Sequence, residues 1–421
     1  MKPSPATAAL AAGLILAEAL VFAALHLAPT WPPRRGDFEA YYWAGRRLHE
    51  GSLAGLYAAD AREPGSERRI KDFKNVPIVG AVFVPLSRRE YGSAWAAWWI
   101  LSLLACLAFA AAAARWLWGW CPLWPPCAAL AVSGLVHYFP LRDAFDLGQT
   151  TQAVMLVVWL ACLAYAGRRD VLAGALLAAA ALVKLPIFFM AGFLIVAGAM
   201  PAARRGGAVI ASARLAAAFA VTVAGLVGLS VLLYGVDVHR AWLAEAVGPH
   251  AGTALTALNN QSLAAQLVRL WGEETVHSYR PSPPPPVLSI VRWTAAAALA
   301  LGWLGARRRH GEDARDLDLV MAIALMPVLS PLFWIHYFLL SLPALLLLAR
   351  RAAVPGAWGV RLVLAAAYAL GALYPPADLA WYGRAPGFWP EVWNGRFLYS
   401  SIALAAACFL IRPEKRPERP R

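Results

Sequence analysis

A carboxylate, a lysine and a histidine, each set in or beside an apolar stretch, are the residues of this chain best able to do chemistry. Asp37 stands where a long apolar run (residues 6–28) and the prolines of TWPPRRG give way to DFEAYYWAGRRLHEGSLAGLY. An ionised carboxylate there is a general base. It is also a helix N-cap, the plainer reading from position alone, and capping would lower its pKa and weaken it as a base. Glu39 is a second, weaker candidate. Arg142, Asp143, Asp146 and Gln149 crowd HYFPLRDAFDLGQTTQ between two apolar runs, either as a site or as a solvated loop with a local Arg–Asp pair. Lys184 lies in AALVKLPIFF with no acid near it in sequence. A lysine at the centre of a span costs about 2.5–3.5 kcal/mol on insertion scales. It therefore either snorkels to the interface or pairs with an anion such as a phosphate. His336 falls in SPLFWIHYFLL beside Trp334 and Tyr337, in a break it shares with Ser330, Pro331 and this aromatic cluster. Asn259, Asn260, Gln261 and Ser262 form an uncharged hydrogen-bonding run, suited to hydroxyl-rich ligands or to capping the helix that follows.

The elements that must position these residues are membrane spans. The chain is 60% hydrophobic and 15% charged, too little charge for a soluble domain of its size. Besides 6–28 it is apolar at roughly 91–114, 121–139, 149–166, 171–184, 186–200, 207–234, 286–305, 317–330, 337–349, 360–374 and 397–411. The spacing predicts an all-α polytopic membrane protein with about twelve transmembrane helices. It forms a single domain over 1–421, with no clean internal repeat. The opening run is too long for a signal-peptide core and reads as a true span, with a cleaved signal as the minor alternative. Residues 29–90 form a first outer loop. DFEAYYWAGRRLHEGSLAGLY is an amphipathic interfacial helix with Asp37, Tyr41 and Ala44 on one face. NVPIVGAVFVPL, too short to span, dips into the membrane and returns. The stretches 171–200 and 317–349 each carry a polar, proline-containing break midway, so each is a long bent helix or a tight hairpin. Hairpins are preferred, because irregular backbone at membrane depth survives only inside protein or beside a wet cavity.

Charge sets the orientation. With the N-terminus inside, Arg115, Arg168–Arg169, Arg204–Arg205, Arg307–Arg309, Arg350–Arg351 and the basic tail 412–421 fall on the cytoplasmic side, as the positive-inside rule requires. The polar motifs fall on the other. The net charge of +14 is spread in ones, twos and threes over span ends, which fits topology and anionic lipid rather than nucleic acid. The five cysteines lie in or beside apolar spans with no CxxC, and read as small buried hydrophobes. No metal set, Gly-rich phosphate loop or GxSxG occurs, which argues against a nucleotide or nucleotide sugar as fuel. An outer-face site with one base, a buried lysine and sugar-friendly amides suits glycosyl transfer from a lipid-linked sugar. A phosphate leaving group needs no general acid, and a cation can stabilise the charge that builds on it. Rival readings are a transporter or flippase of lipid-linked sugars or polyols, which uses broken helices around a midplane site, and a non-catalytic assembly partner. Transporters more often show internal repeats and several intramembrane acids, and neither is found here.

In order along residues 10–410, the first-loop pattern with NVPIVGAVFVPL, GQTTQ, the glycine–lysine–proline stretch ending at Lys184, NNQSL and SPLFWIHY resemble glycosyltransferase family 87. The chain departs from that pattern in NVPIVGAVF, which has no aromatic before the proline. The resemblance implies a GT-C type fold in the plasma (inner) membrane with cytoplasmic termini and an extracytoplasmic site. It also implies a polyprenyl-phosphate sugar as donor, typically mannose and in some members arabinofuranose, and a glycolipid or polysaccharide acceptor. By resemblance Asp37 is the catalytic acidic residue and His336 a histidine that helps at the site. Lys184, Gln149 and Asn260 match motif positions: Lys184 for the donor phosphate, the others for sugar or acceptor. Gln261, Tyr41, Arg142, Asp146 and Trp334 complete the expected binding set. The expected mechanism is single displacement with inversion, without metal or cofactor and with no nucleic-acid partner.

Overall fold

Uninterrupted runs of Ala, Leu and Val have one stable form in hydrocarbon, the helix, which pairs its own backbone groups. The structure, a computed structural model, describes residues 36–58, 69–118, 134–200, 207–271, 281–310, 314–353, 356–373 and 392–411, with a few single positions between them. The run at 6–28, residues 121–133 of the run at 121–139 and the tail 412–421 lie outside the described residues, apart from isolated positions in the first run. The helices are α1 (Phe38–Glu50), α2 (Pro77–Ala81), α3 (Val84–Ser87), α4 (Tyr91–Trp118), α5 (Phe139–Asp146), α6 (Thr151–Ala166), α7 (Asp170–Val183), α8 (Ile187–Ala199), α9 (Gly207–Tyr234), α10 (Val236–Ala241), α11 (Leu263–Trp271), α12 (Pro286–His310), α13 (Arg315–Leu329), α14 (Leu342–Ala352), α15 (Trp358–Ala372) and α16 (Arg396–Leu410). A 3-10 turn, Ile335–Ser341, leads into α14. Among the described residues extended pairing is limited to isolated bridges.

The architecture is the all-α one of a polytopic membrane protein. Tyr91–Leu117, Val209–Tyr234, Pro286–His310 and Ile335–Ala352 are long and apolar enough to cross a membrane. Five shorter apolar helices, Thr151–Ala166, Asp170–Val183, Ile187–Ala199, Trp358–Ala372 and Arg396–Leu410, accompany them. The outer helices turn large apolar side chains away from the protein: Leu232 on α9 is 85% exposed and Leu301 on α12 is 69% exposed. Water would penalise such a surface and lipid would not. At the centre lies α13, buried from Leu317 through Val328 and packed by α8, α12, α14 and α16.

Both breaks are the tips of hairpins. Near the start of α7, Gly174 rests on Leu215 and Ala218 of α9, and near the end of α8, Gly198 rests on Ser212 of the same helix. The Ser212 hydroxyl donates to the Ile195 carbonyl at 2.6 Å. The far ends of both arms therefore meet one stretch of α9, and the arms run in opposite directions. In the second hairpin Arg351 Nε at the end of α14 donates to Asp316 Oδ2 at the start of α13, 3.4 Å away. The two arms are joined at their far ends, which a single bent helix would not allow.

Arginines gather at that far end. Arg307, at the end of α12, donates to the Ala197 carbonyl. Its Nη2 also lies 3.7 Å from the fully buried Asp318. Trp303 Nε1 donates to the same carboxylate at 2.9 Å and the Tyr165 hydroxyl at 3.4 Å. Arg315 bridges the Tyr165 carbonyl and Asp170 Oδ1, at 2.5 and 2.9 Å. A buried carboxylate is tolerated only when partnered in this way. The opposite end carries the start of α1, the start of α6, the α7–α8 tip and the 335–341 turn.

On that opposite end α1 stops at Gly51, whose φ of 72° is the left-handed helix-terminating conformation. α2 and α3 pack on α1 where the expected dipping segment lies. Val76, in the position without an aromatic, is buried all the same. Phe73 packs nearby, its ring 6.1 Å from that of Tyr41 and 5.9 Å from that of Tyr57. Of the five cysteines, Cys106, Cys162 and Cys408 are free and buried, as small apolar residues are; Cys121 and Cys127 lie outside the described residues.

A Cβ on Gly174 would lie 2.4 Å from the Leu215 carbonyl oxygen, whereas one on Gly192 meets nothing within 4 Å. Gly174→Val is expected to destabilise the protein by about 1–3 kcal/mol through overpacking. Its thermal unfolding in detergent should fall several degrees below that of Gly192→Ala. Equal melting of the two variants would contradict the packing of α7 on α9.

Candidate active site

Asp37 occupies the N-cap position of α1, but its side chain makes no capping hydrogen bond. The start of the helix is instead tied to a loop, Phe38 N donating to the Leu147 carbonyl at 3.1 Å. The capping expectation therefore fails, and the carboxylate is released for contacts with other segments. Lys71 forms an ion pair with Oδ1, and Gln149 Nε2 donates to Oδ2.

Gln149 is the joint of the site. Its Oε1 accepts a hydrogen bond from Lys184 Nζ at 2.7 Å. One amide thus links the carboxylate at the start of α1 to the ammonium at the α7–α8 tip. Gly148 makes this placement possible: its φ of 63° is the left-handed conformation, and a Cβ would lie 2.5 Å from the Trp95 ring and 2.7 Å from Phe38 Cβ. The Trp98 indole donates to the Gly148 carbonyl at 3.1 Å, fixing the turn. Lys184, only 3% exposed, does not snorkel. Its ammonium lies over the Tyr337 ring, 4.7 Å from the centroid, in the geometry of a cation–π contact. The hairpin tip is tied to the loop that carries Lys71, through Asn75 Nδ2 to the Val183 carbonyl at 2.6 Å. Tyr41, one turn along α1 from Asp37, lies 3.4 Å from Thr150 Oγ1. Burial pushes its phenol pKa up, so the hydroxyl stays protonated.

His336 joins the same end of the bundle through Asp143, its Nδ1 lying 3.1 Å from Asp143 Oδ2. The ring is 3% exposed, and its Nε2 has no hydrogen-bond partner among the described residues. Burial pushes the Asp143 carboxyl up to about 7, against the opposing pull of its hydrogen bond to His336 and the Lys71 charge.

The other expected residues have different surroundings. Arg142 and Asp146 pair with each other at 3.6 Å along α5, the local Arg–Asp pair anticipated as an alternative; on this helix it is Asp143 that reaches His336. Trp334 stacks on Tyr279, with ring centroids 6.4 Å apart. Asn260 is fully buried and spends its amide on backbone: Nδ2 donates to the Leu255 and Pro331 carbonyls at 2.9 and 3.1 Å, and Oδ1 accepts from Phe333 N at 2.9 Å and Ser262 N at 3.2 Å. Those bonds splice the NNQSL run to the second break, so Asn260 builds the loop and does not present free groups to a ligand. Gln261 Nε2 is similarly engaged, with the Leu258 carbonyl at 2.9 Å and Asn394 Oδ1 at 3.2 Å. Glu39 is buried at the wall of a separate groove of about 580 Å³, lined among others by Trp43, Arg46, Arg88, Glu90 and Tyr91. Neither Asp37 nor Lys184 lines it.

Sequence reasoning did not find Lys71, named Tyr337 only as a neighbour of His336, and gave Thr150 and Asp143 no role of their own. Lys71 is one of several charges in RRIKDFK, and nothing in that run marks it. Asp143 stood in the quoted RDAFD motif, but only the fold shows that it, rather than its neighbours, faces the second break. Among the described residues no group of three His, Cys, Asp or Glu side chains is placed to hold a metal. What the cluster offers is a carboxylate able to take a proton, one ammonium paired with it and a second joined to it through Gln149, and an imidazole nitrogen with no partner among the described residues.

The family model for glycosyltransferase family 87 matches residues 73–331, more than half of the chain. The matched stretch holds Asp143, Gln149 and Lys184; Lys71 and His336 lie just beyond its two ends, and Asp37 lies well before its start. No curated protein and no solved structure matches the chain. With the all-α membrane architecture and the extent of this match, the chain belongs to glycosyltransferase family 87 and is a membrane glycosyltransferase.

Proposed function

We propose that the protein transfers a sugar, mannose being the first candidate, from a polyprenyl-phosphate donor to an envelope glycolipid or glycan on the extracytoplasmic face of the plasma membrane. The observation that carries this reading is the Gln149 amide joining Asp37 to Lys184. A proton acceptor and an anion-binding cation sit on either side of one side chain. That is the pairing a single displacement needs. The acceptor hydroxyl oxygen attacks the anomeric carbon, its proton passes to Asp37, and the bond to the phosphate oxygen breaks with inversion. Lys184, with Lys71 as a second cation, stabilises the charge that collects on the departing phosphate. A phosphate is a weak base, so the scheme asks for no general acid and for no metal or other cofactor.

The sidedness rests on charge. The Asp37 end of the bundle is opposite the end where Arg307, Arg315 and Arg351 gather. The positive-inside rule assigns the arginine end to the cytoplasm, together with both termini. Cysteines placed at exposed Arg88, near the Asp37 end, and at exposed Ala353, near the arginine end, test this in whole cells. An impermeant maleimide should label Arg88→Cys and not Ala353→Cys, and the reverse pattern would contradict the assignment.

The activity is tested with labelled polyprenyl-phosphate-mannose, candidate acceptors and purified protein in vesicles. Wild type should form a new glycosidic bond, and Asp37→Asn should lower the rate by about 100-fold or more, the scale of a lost general base. Label carried across the bilayer with no new bond would overturn this reading in favour of a lipid-sugar transporter.

A further inference from the structure

His336 is held in an unusual way for a buried imidazole. One ring nitrogen faces a carboxylate 193 residues away in sequence, and the other faces no protein partner among the described residues. A neutral imidazole has one N–H and one lone pair, and the neighbour of each nitrogen decides which is which. An ionised carboxylate accepts only. Asp143 in that form fixes the proton on Nδ1 and leaves the lone pair on Nε2. A protonated Asp143 reverses the pattern, donating to Nδ1 and turning Nε2 into an N–H donor.

We propose that Asp143 is a positioning residue of the transfer site: its carboxylate holds the His336 Nδ1 proton in a hydrogen bond, so that Nε2 accepts a hydrogen bond from a sugar hydroxyl of the substrate. This rests on the glycosyl-transfer reading of the same site. No bond to carbon is made or broken by the pair, and Asp37 remains the base. Three observations support it. Nε2 is buried and has no partner among the described residues, a state that costs about 1–3 kcal/mol unless a ligand or water fills it. The ring lies against Tyr337, with centroids 4.8 Å apart, and Tyr337 also underlies Lys184. The charges whose fields reach His336 are those of Lys184, Asp37 and Lys71, the members of the Asp37 cluster. From the elements around it the titratable groups are thus Asp143 on α5, Lys184 at the α7–α8 tip, Asp37 before α1, Lys71 in the loop before α2, and Tyr337 beside it on the 3-10 turn.

The arrangement has a pH signature. Burial raises the Asp143 carboxyl to about 7, so it takes up a proton as pH falls through that region. The lone pair on Nε2 is then lost, and activity falls on the acid side.

The test uses the full-length protein with 15N-labelled histidine, the His336 signals being assigned by their loss in His336→Gln. Above the acid limb the wild type should show His336 protonated on Nδ1. In Asp143→Asn the Nε2–H form should appear, kcat should drop by about 10–100-fold as for lost orienting partners of catalytic imidazoles, and the acid limb near pH 7 should vanish. Asp143→Glu should restore the Nδ1–H form and part of the rate, and it reads the same question should Asp143→Asn fail to fold. An unchanged tautomer and an unchanged pH profile in Asp143→Asn would overturn the proposal, leaving Asp143 as a staple between α5 and the 335–341 turn. Should the wild type itself transfer no sugar, the glycosyl-transfer reading fails, and the tautomer measurement still decides whether Asp143 sets the imidazole.

Discussion

A lysine sealed inside apolar helices has to be neutral, paired or hydrogen-bonded, and Lys184 sets the terms for everything around it. Its ammonium is held by the Gln149 amide oxygen and the face of Tyr337. Because an amide has both an acceptor and a donor, binding the lysine on one side aims the other side at Asp37. The site is therefore not a set of independent side chains. Moving the α7–α8 tip would displace Gln149, and moving Gln149 would take a partner from Asp37. The reach of these three short links also fixes where α1 must lie, since it places Asp37 against the start of α6.

Rigid support comes from the opposite end of the bundle. Arg351 closes the second hairpin on Asp316, and Arg307 joins α12 to α13 through Asp318 and to α8 through the Ala197 carbonyl. With those ends tied, the two tips are held at a fixed height and can converge from different parts of the chain. Asn260 does the same work locally, splicing the NNQSL run to the break before His336. Irregular backbone is confined to these tips, where side chains and neighbouring loops satisfy it, as hydrocarbon surroundings demand.

Much of this was legible in sequence because membranes leave few choices. Apolar runs announced the helices, and the proline-bearing breaks in 171–200 and 317–349 announced the hairpins. Lys184 stood out because its cost in hydrocarbon demands a reason, and His336 because it shared a break with polar residues. The links between segments were less visible. Gln149 read as one of several amides, and only its position between two charges gives it weight. Lys71 was hidden among neighbouring charges in a loop, where composition says nothing about which one folds inward. Asn260 reads in sequence as a ligand group or a cap, and its four bonds to backbone were not legible there, because a buried amide spent on backbone carries the same sequence signature as one that faces a sugar.

The most direct measurement of the central claim is a high-resolution cryo-EM structure of the protein in lipid nanodiscs with a non-transferable phosphonate analogue of the lipid-linked sugar. The account predicts the phosphonate oxygens against Lys184, the anomeric carbon facing Asp37, and Gln149 still between the two. A phosphonate bound away from Lys184, or a Gln149 amide touching neither charge, would contradict it.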